Sequence, residues 1–108
     1  MRDALAPDRV SPLRLVSARD GTQIHIPVGR AITLGRAEHA DTIVNDHTVS
    51  RTHARLELCA GGLAITDLES RNGTYVNGGR IRSAVLAVGD VVMFGQIAFT
   101  IEANDELL

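Results

Sequence analysis

Lysine is missing altogether: the 11 basic side chains of this 108-residue chain are all Arg, set against 13 Asp and Glu for a formal charge of −2. Without a basic excess the chain does not have the profile of a general nucleic-acid binder. Trp is also absent, and Tyr75, Phe94 and Phe99 are the three aromatics. That is too few for a base-stacking platform, which leaves a nucleic-acid-binding β-barrel as a remote reading. A single Cys rules out a disulfide framework and points to a reducing, cytoplasmic setting. No apolar run approaches the ~18–20 residues that span a bilayer, so no membrane role is expected. The segment Met1–Pro7 lacks the apolar stretch of a signal peptide. Nowhere does a 3.6-residue apolar period run long enough for a helix.

What is present has period two. Leu13 and Leu15 alternate with Arg14 and Val16, and Thr22, Ile24 and Ile26 with Gln23 and His25. Thr52, Ala54, Leu56 and Leu58 put four small or apolar groups on one face; Leu63 and Ile65 follow, then Val91–Phe94 and Ile97–Ile101. Between these runs stand Asp20-Gly21, Gly61-Gly62, Asn72-Gly73, Asn77-Gly78-Gly79, Gly89-Asp90 and Gly95-Gln96. Such pairs favour the positive-φ backbone of tight hairpins. About ten short strands punctuated in this way imply an all-β fold, an antiparallel β-sandwich. Residues 1–12, with Pro7 and Pro12, are expected to form a flexible N-terminal arm and 103–108 an acidic C-terminal tail, around one domain at 13–102.

Three polar clusters fall at turns: Leu34-Gly35-Arg36, Ser50-Arg51-Thr52-His53, and Ser70-Arg71-Asn72-Gly73-Thr74 with Asn77-Gly78 close behind. The first sets an Arg beside a Gly, and the other two set an Arg beside small hydroxyl or amide residues. Sandwich loops gather at two ends, so such clusters can converge. Arg forks, Ser hydroxyls and Asn amides are donors suited to phosphate oxygens, and Arg is a better bidentate partner for them than Lys. The plainer alternative is surface pairing of each Arg with Asp46, Asp67 or Glu69, which contributes little. Ser50 and His53 could suggest a nucleophile and base, but a strand opening at Ser50 would send them to opposite faces, and no elbow signature accompanies them. His39, His47, His53 and Cys59 lack paired metal-ligand spacing. The expectation is therefore no enzyme, no metal and no cofactor.

Gly35-Arg36, Ser50-x-x-His53 and Asn72-Gly73-Thr74-x-x-Asn77-Gly78, in this order on a β-rich chain, closely resemble the forkhead-associated (FHA) domain over residues 13–102. The resemblance implies a sandwich of about eleven short strands that binds phosphothreonine peptides through loops at one end. It implies that Arg36 is the main phosphate-binding side chain and that Ser50 donates its hydroxyl to the same phosphate. Arg51 would reach phosphate or peptide, Arg71 would line the pocket, and Asn72 would bond the peptide main chain. Gly35, His53, Gly73, Thr74 and Asn77 would support the binding loops, with the two glycines letting them turn tightly. Val49 or Thr48 would offer a niche for the threonine methyl. The loop at 37–48, with Glu38, His39, Asp41 and Asp46, would shape preference along the peptide. The implied partner is a phosphothreonine-containing protein, in signalling or phospho-dependent assembly driven by a Ser/Thr protein kinase. Because residues 1–12 contain no Thr, that partner is expected to be another protein and not the arm itself. The same fold could instead serve as a phospho-independent protein–protein interaction or scaffold module, a use that intact pocket residues weigh against.

Overall fold

The computed structural model describes residues 11–104. Its regular elements are eleven strands: β1 (Leu13–Ser17), β2 (Gln23–His25), β3 (Ile32–Gly35), β4 (Thr42–Ile43), β5 (Ala54–Cys59), β6 (Gly62–Asp67), β7 (Thr74–Val76), β8 (Gly79–Ile81), β9 (Ser83–Leu86), β10 (Val91–Phe94) and β11 (Ile97–Ala103). They form a six-stranded sheet, β2-β1-β11-β10-β7-β8, facing a five-stranded sheet, β4-β3-β5-β6-β9.

The alternation read in the sequence becomes the sandwich interior. Leu15, Ile24, Val92, Phe94, Phe99 and Ile101 from the first sheet meet Ile32, Leu34, Ala54, Leu56, Leu63, Ile65 and Leu86 from the second, all buried. Each large apolar side chain so buried contributes on the order of 1.5–3 kcal/mol, which is what holds such short strands together. Phe94 sits at the centre, edge-on to Phe99 with ring centroids 5.8 Å apart.

Two differences from the sequence reading bear on function. The sandwich is not wholly antiparallel, because β4 pairs parallel to β3, Leu34 opposite Thr42 and Gly35 opposite Ile43. The chain therefore leaves β3, doubles back through residues 36–41, and runs outward again beyond the same end. The second difference is that the strand expected from Thr52 begins at Ala54. Residues 50–53 form a turn instead, because the Ser50 amide is captured by the His53 ring and not by a neighbouring strand. Of the arm and tail, residues 1–10 and 105–108 lie outside the described residues. At their inner edges the chain is tied in: Ser11 is buried with its hydroxyl on the Leu13 carbonyl (2.7 Å), and the Asn104 amide donates to the Pro12 carbonyl (3.0 Å). Among the described residues no helix is long and apolar enough to cross a membrane.

Candidate functional site

Register fixes which loops share an end. Leu34 lies opposite Ala54, Ala54 opposite Asp67, and Thr74 opposite Phe94. The end of β3, the start of β5, the β6–β7 loop and the β10–β11 turn therefore meet at one edge of the sandwich.

There the backbone stitches the three sequence clusters together. The Arg36 amide donates to the Ser50 carbonyl (3.0 Å) and the Ala37 amide to the Arg51 carbonyl (3.1 Å). The Arg71 amide donates to Ser50 Oγ (2.9 Å), leaving the hydroxyl proton free to point outward. Gly35 allows this approach by lacking a side chain: a Cβ there would collide with the Arg51 carbonyl. Its role is thus close packing of two backbones, whereas the turn geometry expected of it belongs to Gly73, whose φ is +92°.

His53 is fully buried behind these loops. Its Nδ1 accepts the Ser50 amide (3.0 Å), so the ring proton resides on Nε2, which donates to the Gly73 carbonyl (3.0 Å). Burial pushes its pKa below 6.5, although the Gly73 bond and the nearby Asp67 oppose that shift. Asp67 in turn accepts from Ser70 Oγ (2.6 Å), the Ser70 amide (3.1 Å) and Thr74 Oγ1 (2.7 Å). Burial raises the Asp67 pKa, but the bonds from Ser70 and Thr74 outweigh it and hold the carboxyl below 3.8. A second brace runs through Thr48, whose amide and hydroxyl both donate to Asp46, while its carbonyl accepts Asn72 Nδ2 (2.8 Å) and its Oγ1 accepts the Gln96 amide (3.0 Å). The Thr48 hydroxyl is the main reason the Asp46 pKa is lowered.

What these braces hold up is a set of unused donors. Arg36 Nε donates to the Val49 carbonyl (2.9 Å), and its two terminal nitrogens have no partner among the described residues. Arg51 and Arg71 are exposed, and neither side chain is hydrogen-bonded or ion-paired among the described residues. The surface pairing considered from the sequence is not made: Asp46 pairs with Arg19 (3.4 Å), Asp67 is consumed inside its loop, and Glu69 pairs with none of the three. Asn72 has its amide anchored on Thr48, and its side-chain carbonyl has no partner among the described residues.

Other expected residues fall elsewhere. Asn77 is not with the binding loops. It lies at the opposite end, in the positive-φ turn of the β7–β8 hairpin (φ +49°), and fastens that turn to Asp90 (3.1 Å) and the Val91 amide (3.0 Å). Val49 and Thr48, the residues considered for a methyl niche, are both buried. In the loop at 37–48, Asp41 is occupied by Thr33, His39 by Thr52 (2.9 Å) and Asp46 by Thr48, which leaves Glu38 as the unengaged member of the four.

One residue passed over in the sequence belongs to this end. The guanidinium of Arg80 lies beside the place where a Cβ on Gly73 would stand, with Nε 2.8 Å and Cζ 3.0 Å from it, and 6.0 Å from the centre of the Tyr75 ring. The signal that could have found it is the Asn77-Gly78 turn. A two-residue hairpin pairs Val76 with Gly79, and so Tyr75 with Arg80.

Known proteins share this outline. The ATP-binding/permease protein Rv1747, an ABC transporter of Mycobacterium tuberculosis, is 44% identical over 72 residues, 67% of this chain and 8% of that protein. The glycogen accumulation regulator GarA of Mycolicibacterium smegmatis is 47% identical over 62 residues, 57% of this chain and 39% of that protein. The chain thus spans well under half the length of either relative. An FHA domain solved in a study of phosphothreonine-dependent interactions superposes with a TM-score of 0.79 at 26% identity, covering 87% of this chain and 98% of that one. The FHA domain family model matches residues 32–95, from the first residue of β3 to the β10–β11 turn. With the loops, the sandwich and that match in agreement, the chain belongs to the FHA domain family.

Proposed function

We propose that this chain is a recognition module that binds a phosphothreonine-containing segment of a partner protein, in the cytoplasm, in signalling driven by a Ser/Thr protein kinase. The observation that carries the reading is the joining of three loops at one end by backbone bonds and the Ser50 hydroxyl, with the terminal nitrogens of Arg36 and the whole guanidinium groups of Arg51 and Arg71 unpaired among the described residues. A phosphate brings about −1.5 to −2 charge and three strong acceptors to such a site. Arg36 is half-fixed already by its Nε bond to Val49, so its two terminal nitrogens form a ready fork. Asn72, held by Thr48, presents its carbonyl to a peptide amide next to the phosphothreonine. Charge-assisted hydrogen bonds contribute on the order of 1.5–3 kcal/mol each, and micromolar affinity needs about −8 kcal/mol in total. Two or three such bonds with main-chain contacts reach that figure.

The module binds and does not catalyse. Ser50 and His53 are neighbours, but the ring nitrogens face the Ser50 amide and the Gly73 carbonyl, and no nitrogen is left to take a proton from Ser50 Oγ. The test is a binding screen of the chain against a phosphothreonine peptide library, its dephosphorylated twin and single-stranded DNA. Binding to the first alone supports the proposal. Equal binding to phosphorylated and plain peptides would establish the scaffold reading in its place.

A further inference from the structure

Beside the three-Arg cluster, a cleft of about 780 Å³ opens between the two sheets, with Glu69 and Ser70 on one wall and Arg80 and Arg82 on the other. Neither of these guanidinium groups is in an ion pair among the described residues. Arg80 is exposed, and its guanidinium lies 6.0 Å from the centre of the Tyr75 ring and over the side of Gly73 that a Cβ would occupy. Of the cleft's two carboxylates, Asp67 is turned to the donors of its own loop, Ser70 and Thr74. What the cleft presents to a ligand is therefore two guanidinium groups and the single carboxylate of Glu69. A planar guanidinium fork loses less freedom per bond on taking up an anion than an ammonium group would. Glu69 at the rim disfavours a run of acidic groups over a single one.

We propose that Arg80, assisted by Arg82, forms a second anion subsite that receives one acidic side chain of the bound peptide, a carboxylate or a second phosphate. The inference rests on the phosphothreonine reading: a peptide main chain held at Asn72 continues past Gly73, on which the Arg80 guanidinium lies. This subsite selects sequence around the phosphothreonine, and the phosphate itself stays with Arg36 and Ser50.

The test is calorimetric titration of the full chain with a phosphothreonine peptide flanked by alanines, and with versions carrying Asp or a second phosphothreonine at one flanking position at a time. At one position the acidic group tightens binding by roughly five- to tenfold. Arg80→Gln abolishes that gain yet binds the alanine-flanked peptide within about twofold of wild type. Arg80→Glu recovers the gain when the peptide carries Lys at the same position, which keeps the test decisive if neutralising Arg80 disturbs the Gly73 loop. The relative gains from Asp and from phosphothreonine show which anion the subsite takes. An acid-dependent gain that survives in both variants overturns the subsite. So does the lack of any acid-favouring position when the alanine-flanked peptide binds; either result leaves the phosphothreonine reading standing. If the alanine-flanked phosphopeptide binds no better than its dephosphorylated twin, the phosphothreonine reading falls, and the subsite with it.

Discussion

The two ends of the sandwich are built from similar residues and put them to opposite use. At the end holding the β7–β8 hairpin, Asn77 and Asp90 satisfy each other. Asn77 Nδ2 donates to Asp90, Asp90 accepts the Ala87 amide (2.8 Å), and the Val91 amide donates to Asn77. That end closes on itself. At the other end Asp46, Asp67 and His53 are equally saturated, yet every bond they make holds a loop in place and leaves Arg36, Arg51, Arg71 and Ser50 facing outward with donors to spare. A folded chain ordinarily satisfies its polar groups. A surplus of one kind of donor at one end of the scaffold is therefore what the proposed phosphopeptide site would use.

The contrast can be broken by substitution. The largest effect is expected from Arg36→Ala, which should weaken phosphothreonine-peptide binding by roughly a hundredfold, as two charge-assisted bonds would require. The thermal midpoint should barely move, since the exposed side chain gives up a single bond to Val49. Unchanged affinity by calorimetry would remove Arg36 from the site. The mirror experiment at the far end is Asn77→Ala, which puts a Cβ-bearing residue without a compensating side chain at φ +49°. It should cost about 1–2 kcal/mol of stability in a denaturant titration while leaving peptide affinity unchanged; a parallel loss of affinity would show that the two ends are not independent.

The smallest effect comes from pH. Burial holds the His53 pKa below 6.5, so as pH falls past that value the unfolded chain takes up a proton that the folded chain resists. The His53 contribution to stability is complete above 6.5 and is lost progressively below it. Asp46, Asp67 and Asp90, all held below 3.8, add their losses only under that value. Peptide affinity should decline in the His53 range, because a protonated Nδ1 can no longer accept the Ser50 amide. An NMR titration that placed the His53 ring at or above 6.5 would contradict this account.

Much of the sandwich is legible in the sequence wherever one strand face is buried, because burial enforces strict alternation. Leu13–Ser17, Ala54–Leu58 and Ile97–Ile101 announce themselves in this way. Thr42–Ile43 does not: two residues carry no period, and Ile43 is exposed on a strand whose pairing is parallel and set by the loop before it. Gly79–Ile81 and Ser83–Leu86 are similarly short edge strands, with Val85 turned to solvent. At the site, Arg36, Ser50, Arg71 and Asn72 could be selected because each sits in a turn motif. Arg80 could not be separated from its fellow arginines by composition, because its distinction lies in resting on Gly73, seven positions earlier, once the hairpin has folded. The Ser50–His53 turn was hidden for a related reason: a side chain replaces the strand partner, and period-two reading cannot anticipate that substitution.

The shared His53 ring has a kinetic and thermodynamic consequence. Ser50 and Gly73, twenty-three residues apart in the chain, are bonded to opposite nitrogens of one immobile imidazole. Neither loop can swing open without giving up its bond to a buried ring that packs edge-on to Phe94, with centroids 5.8 Å apart. The Ser50 amide should then exchange its hydrogen with solvent only as fast as the whole domain unfolds, although it sits at the surface of a turn. Because the loops are already ordered before any ligand arrives, association should carry little of the ordering penalty that mobile binding loops incur.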